Sequence, residues 1–101
     1  MRGEVWWYED LSIPRRPVLI LARASMAGTL THVVGVPATT VVRRVPTEVT
    51  LTRLDGLPRE CVLTLDNIGQ FRAALCTELI TTLPTERMTE VCAALAVATD
   101  C

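Results

Sequence analysis

The sequence predicts a mainly β domain, a small and strongly bent antiparallel sheet or barrel capped by a C-terminal helix. Three observations carry this expectation. Short runs rich in β-branched and aromatic residues recur along the chain, punctuated by Gly, Pro, Asn and Asp. Only the segment after Pro84 repeats its apolar residues convincingly at helical spacing. The length, 101 residues with 50% hydrophobic, suits one domain spanning 1–101 with a modest core, which dimerisation would enlarge.

Taken in order, Glu4-Val5-Trp6-Trp7-Tyr8 reads as the first strand. Alternation puts Val5 and Trp7 on one face and Trp6 and Tyr8 on the other. Packing is the expected role of the three rings, with a dimer or base-stacking surface open to Trp7 and Tyr8. Glu9 to Arg15 is a connection in which Pro14 stops regular pairing. Pro17 to Ala22 is apolar throughout, as a strand buried on both faces would be. Arg23 to Thr31 is a polar link around Gly28 with room for one helical turn. His32 to Ala38 is the third strand, and Thr39 to Pro46 a loop carrying Arg43 and Arg44.

Thr47 to Arg53 alternates cleanly, with Thr47, Val49 and Leu51 against Glu48, Thr50 and Thr52, and forms the fourth strand. Asp55-Gly56-Leu57-Pro58 is a turn by composition. Cys61 to Leu65 is the fifth strand, broken by Asp66-Asn67-Ile68-Gly69-Gln70, and Leu75 to Leu83 is the sixth. Pro84 then opens the helix, where a missing N–H costs nothing. Thr85, Glu86 and Glu90 suit its positive end. Met88, Val91, Cys92, Leu95 and Thr99 make one apolar stripe.

The formal net charge is −1, which argues against a nonspecific polyanion binder. The charge is uneven: residues 1–60 hold eight Arg and six acids, and residues 61–101 two Arg and five acids. Every basic residue is Arg; codon bias accounts for that, and composition alone shows no preference for forked phosphate contacts. The four cysteines, Cys61, Cys76, Cys92 and Cys101, form no CxxC motif. With no signal-like segment at Met1-Arg2-Gly3, reduced thiols in a cytoplasm, mostly core filler, are expected. The longest apolar run, Cys92 to Ala98, is too short to span a membrane.

Two strand ends hold the most informative residues. Arg16-Pro17 opens the run Val18-Leu19-Ile20-Leu21, and Val36-Pro37-Ala38-Thr39-Thr40 closes a second one about twenty residues later. A permanent cation that forks onto phosphate oxygens and a hydroxyl cluster together point to a phosphodiester site needing neither metal nor histidine. From spacing alone, Arg16 also reads as a surface charge at a strand start, and Thr39 and Thr40 as β-formers with a turn hydrogen bond. His32 is the single histidine and stands away from these motifs, so packing is its expected role.

These pieces resemble the MazF/PemK family of bacterial toxin endoribonucleases, the actinobacterial members most. Arg2-Gly3-Glu4-Val5-Trp6 is similar to the family's opening strand, Arg16 to Leu21 to its "RPvlvl" motif, and Val36 to Thr40 to its "vplTt" motif. Thr47-Glu48-Val49 and Asp66-Asn67-Ile68 match two further blocks. The resemblance implies an SH3-like barrel that dimerises and cuts single-stranded RNA at short motifs without metal or other cofactor. It also implies a cognate MazE-like antitoxin whose acidic and apolar tail fills the same groove, action in the cytoplasm, and no DNA or membrane target.

Residue by residue, the resemblance makes Arg16 the catalytic arginine and Thr39 the catalytic hydroxyl. Glu9 falls at an often acidic position and is the candidate acid or base. Asp66 and Asn67 fall at an acid–amide pair lining the groove. Asp66 is expected to order its turn and Asn67 to read a base edge. Arg15, Thr40, Arg43 and Arg44 are the other candidate RNA contacts, although the last two would also suit a solvated loop. The connection from Glu9 to Arg15 lacks the longer "GSEQ"-type block of many members, which leaves the general base unassigned. Two other functions fit the fold: a gyrase-poisoning toxin of the same barrel, and a non-catalytic SH3-like binding module.

Overall fold

The computed structural model describes residues 1–26 and 29–100, with side chains described at 1–22 and 32–100. Among these, seven strands form one bent sheet: β1 (Glu4–Tyr8), β2 (Arg16–Met26), β3 (Thr29–Thr39), β4 (Glu48–Leu51), β5 (Cys61–Thr64), β6 (Gly69–Arg72) and β7 (Cys76–Thr82). One helix, α1 (Thr85–Thr99), follows. The strand order is β4-β5-β3-β2-β1-β7, with β6 paired to β3, and every recorded pairing is antiparallel. The expected mainly β fold with a terminal helix is what forms.

β2 carries the core because its two faces bury into different clusters. Leu19 and Leu21 join Val5, Val36, Leu51, Leu63, Leu65, Met88 and Val91 in the larger one. Val18 and Ile20 pack on the opposite face with Tyr8 and Val33, flanked by Trp6 and Phe71. Tyr8 meets Phe71 edge to face at 5.0 Å, and its hydroxyl accepts the backbone N–H of Arg72. Truncating a fully buried leucine such as Leu19 or Leu63 removes about 2–5 kcal/mol of stability.

The sheet bends where β3 changes partners. One edge of β3 pairs with β6 from His32 to Gly35 and with β5 at Ala38 and Thr39. Pro37 sits at the changeover, where its missing N–H interrupts the ladder. Its carbonyl accepts the buried Thr64 hydroxyl at 3.1 Å. Gly35 is required just before the bend: an added Cβ would lie 2.7 Å from Val18 Cγ1 and 3.0 Å from the Leu19 carbonyl.

Several expectations need correction. Arg23 to Thr31 is not a polar link with a helical turn: β2 continues to Met26 and β3 begins at Thr29, so the two form a long hairpin. Ala27 and Gly28 lie outside the described residues. The segment read as a break, Asp66 to Gln70, holds a 3-10 turn at Leu65–Asn67 and then starts β6, so the strand placed at Leu75 to Leu83 is the seventh. β4 stops at Leu51 because Thr52 caps a 3-10 turn at Arg53–Asp55 instead of extending the strand. In α1 the buried stripe is Met88, Val91 and Ala94, flanked by Leu95 and Ala98, whereas Cys92 is exposed and so is not core filler.

α1 is fastened to the sheet by Arg87. Its guanidinium donates to Asp55 Oδ1 at 3.0 Å and also to the Thr50 carbonyl and Glu90. That clamp ties the helix to the β4–β5 connection, which borders the site described next.

Candidate active site

β2 and β3 pair as far as Val18 opposite Pro37. Beyond that point β3 runs on against β5, with Thr39 opposite Val62, and the ends of the two strands enclose a cleft of about 440 Å³. Arg15, Arg16 and Pro17 line it from the β2 side, and Ala38, Thr39 and Thr40 from β3. Trp7 of β1 lies opposite Pro17 and borders the same space. Leu57, Pro58, Arg59 and Cys61 close it from the β4–β5 connection. The lining therefore contains three arginines, two threonine hydroxyls and no carboxylate, a composition that attracts an anion.

Each polar group has a definite state. Arg16 makes a single hydrogen bond, from Nε to the Pro14 carbonyl at 3.5 Å, and no ion pair among the described residues. Its fork is therefore available to a ligand. Thr39 Oγ1 accepts the Val41 N–H at 3.2 Å, so its own proton remains free to donate. Arg15 is more constrained: its guanidinium lies 4.0 Å from the centre of the Trp7 ring and pairs with Glu9 at 3.5 Å and Glu78 at 3.3 Å. Cys61 is buried, and burial, with Asp55 and Glu60 nearby, raises its thiol pKa. It is a poor nucleophile for that reason.

Of the residues singled out in the sequence, Arg15, Arg16, Thr39 and Thr40 come together in the cleft. Glu9 is not part of the lining. Its carboxylate accepts the Thr77 hydroxyl and pairs with Arg15, so it orients a cleft residue from outside. Arg43 is spent elsewhere: it pairs with Glu48 at 3.1 Å and Asp66 at 3.2 Å, and those hydrogen bonds raise its pKa. Burial alone would raise the Glu48 pKa, but hydrogen bonds from the Arg43 guanidinium and from the Arg43 and Arg44 N–H groups outweigh it and lower the value. Arg44 is exposed in a left-handed conformation at φ 58° and does not border the cleft. Asn67 donates to Thr64 Oγ1 within the turn after β5, and Asp66 accepts the Thr47 hydroxyl, which holds the β3–β4 loop against that turn. His32 lies opposite Arg72 near the far end of β3.

Two further side chains that could contact a ligand line the cleft: Trp7, for which packing is the sequence expectation with a base-stacking surface left open, and Arg59, which the sequence does not single out. Trp7 is half-buried and belongs to neither core cluster, because it shares the face of Val5 but lies beyond the edge of the core. Arg59 follows a turn-forming Pro, and nothing local distinguishes it from a solvated loop cation. Among the described residues no group of three or more His, Cys, Asp or Glu is placed to hold a metal ion, and no helix is long and apolar enough to cross a membrane.

Comparison with known proteins is consistent along nearly the whole chain. The family described as PemK-like, MazF-like toxin of type II toxin–antitoxin system matches residues 1–99. The probable endoribonuclease MazF5 of Mycobacterium tuberculosis is 38% identical over 101 residues, 99% of this chain and 93% of that protein. The probable endoribonuclease MazF2 of the same species is 34% identical, over 99% and 98% of the two chains. The structure of M. tuberculosis toxin MazF-mt6 superposes with a TM-score of 0.82 at 30% identity, covering 96% of each chain. A mycobacterial endoribonuclease solved in complex with its cognate antitoxin gives 0.82 at 27% identity, over 99% and 94%. The chain belongs to the PemK-like, MazF-like family of toxins of type II toxin–antitoxin systems.

Proposed function

We propose that this MazF-like toxin, an endoribonuclease by family, cuts single-stranded RNA in the cleft between the ends of β2 and β3. The convergence of Arg16 and Thr39 on one cationic, carboxylate-free concavity carries the reading. RNA brings its own nucleophile. The ribose 2′-oxygen attacks the adjacent phosphorus, its proton passes to solvent, and the bond from phosphorus to the 5′-oxygen breaks. The products are a 2′,3′-cyclic phosphate and a 5′-hydroxyl. No divalent ion enters this step.

Arg16 holds the nonbridging oxygens as their charge grows, which is worth a few kcal/mol of transition-state stabilisation. An arginine is a weak proton donor near neutrality, so protonation of the leaving oxygen is its secondary role. Thr39 donates to a phosphate oxygen and aligns the 2′-hydroxyl. Arg15, ordered by Glu9, Glu78 and Trp7, flanks the bound backbone, and Thr40 adds a hydroxyl beside it. Dependence on the 2′-hydroxyl excludes DNA as a substrate. The toxin acts in the cytoplasm as a homodimer, and a cognate antitoxin with an acidic, apolar tail covers the same arginines. The gyrase-poisoning and adaptor readings have no observation in their favour, since neither uses Arg16 and Thr39 together.

The test is incubation with a long unstructured RNA, and with DNA of the same sequence, in EDTA, followed by mapping of the ends. Cuts at a recurring short motif with cyclic phosphate ends are expected in RNA only. An intact RNA across diverse sequences would remove the proposal.

A further inference from the structure

We propose that Arg59, on the loop between β4 and β5, binds the RNA phosphate next to the scissile one and so sets the position of the strand over Arg16; this rests on the ribonuclease reading above. Three observations converge on it.

The first is availability. Of the three cleft arginines, Arg15 is already paired with Glu9 and Glu78. Arg16 and Arg59 have no ion pair among the described residues, and Arg59 is exposed with no side-chain partner there. A cation bordering a cleft with no carboxylate to neutralise it is a vacant anion contact.

The second is placement. β3 lies between β2 and β5 in the sheet. Arg16 opens β2, and Arg59 is two residues before β5, whose Val62 pairs with Thr39. Arg16 and Arg59 are therefore carried by strands on opposite sides of β3, whose backbones are roughly 10 Å apart, two strand spacings, and both border the cleft that holds Thr39. One cation at Thr39 serves the reacting phosphate, and the other meets the chain as it leaves that point.

The third is rigidity. The loop is braced more than an idle surface loop needs. Thr52 and Asp55 form a reciprocal capping box. Gly56 adopts φ 99° to reverse the chain, and Leu57 anchors in the larger core at 3% exposure. Arg53 Nε donates to the Pro58 carbonyl at 3.2 Å, immediately before Arg59, and Arg87 holds Asp55 from the helix. The backbone that presents Arg59 is thus fixed before RNA arrives, which lowers the ordering cost of binding.

The experiment uses the whole protein and a fluorescent single-stranded oligoribonucleotide of the mapped cut sequence, with 2′-deoxyribose at the cut position so that it binds without reacting. Affinity is read by anisotropy across a salt series, and cleavage kinetics on the all-ribose strand. Arg59→Ala is expected to weaken binding about ten-fold and to flatten the slope of log K against log salt by about 0.7, the share of one single-strand phosphate. Its KM rises while kcat stays within a few-fold. Arg59→Lys keeps the slope, and Arg72→Ala, a cation on β6 outside the cleft, changes neither quantity. Unchanged affinity and slope in Arg59→Ala, with a wild type that binds and cuts RNA, overturns the assignment and leaves the ribonuclease reading standing. A loss confined to kcat overturns it too, by moving Arg59 to the reacting phosphate. A wild type that neither binds nor cuts RNA overturns both.

Discussion

Replacing Arg16 by Ala separates chemistry from folding unusually well at this position. The side chain makes one long hydrogen bond, 3.5 Å to the Pro14 carbonyl, and no ion pair among the described residues. A surface change of that kind shifts stability by no more than about 0.5 kcal/mol. For a domain of this length that is a Tm change of about 2–4 °C. The catalytic loss is set by a different quantity. Removing a preorganised donor from developing negative charge costs roughly 10²–10³ in kcat, or about 2.7–4 kcal/mol. Arg16→Lys keeps the charge and loses the fork, so it falls between wild type and Ala. Single-turnover cleavage of a mapped RNA in EDTA, run beside thermal melts of both variants, checks the reasoning. An Arg16→Ala protein that melts normally and cuts within a few-fold of wild type refutes the role given to the guanidinium. One that melts more than 10 °C lower, as a core residue would, refutes the claim that the side chain is structurally idle.

Other expectations follow from the same geometry. Thr39→Val keeps the shape and removes the hydroxyl, so kcat falls about ten-fold or more while Thr39→Ser retains most activity; equal rates for Val and Ser would count against a hydroxyl contact. Glu48 has its pKa lowered in the fold, so its contribution is complete above its usual value of 4.5 and is lost as pH falls through the lower folded value. Melting temperature should therefore drop on acidification below about pH 4.5, and Glu48→Gln should shallow that drop. Gly56→Ala forces a β-carbon into a φ of 99° and to within 2.6 Å of Thr81 Oγ1. A loss of about 1–3 kcal/mol in urea unfolding is expected. Iodoacetamide should label exposed Cys92 well before buried Cys61, whose thiol pKa is raised; peptide mapping showing the reverse order would contradict the burial.

Legibility in the sequence varied with the kind of interaction that forms each element. β1 was read at its full extent because β-formers crowd Glu4 to Tyr8 and turn residues flank them. α1 was equally plain after Pro84. β6 escaped because Gly69-Gln70-Phe71-Arg72 follows Asp66 and Asn67, and only the open edge of β3 makes it a strand. The far ends of β2 and β3 escaped because backbone pairing needs no apolar pattern, and Arg23 to Thr31 shows no continuous apolar run. Among site residues, Glu9 and Asn67 sit in motifs yet lie outside the cleft, Glu9 bonded to Thr77 and Arg15 and Asn67 to Thr64, whereas Arg59 borders it without any local signature.

Local composition and motif order by themselves determined the strand-rich class, the terminal helix, the family and the grouping of Arg16 with Thr39, which share one cleft. Alternation and turn chemistry act over a few residues, and those are the ranges a sequence displays directly. Which cations remain free was decided only in three dimensions. Arg43 is neutralised by Glu48 and Asp66, and Arg15 by Glu9 and Glu78, in contacts that span up to 63 residues of chain. Arg59 reaches the cleft because a braced loop and the bend at Pro37 carry it there. Charge pairing falls off with distance through space, not along the chain, so the electrostatic identity of the site belongs to the folded protein.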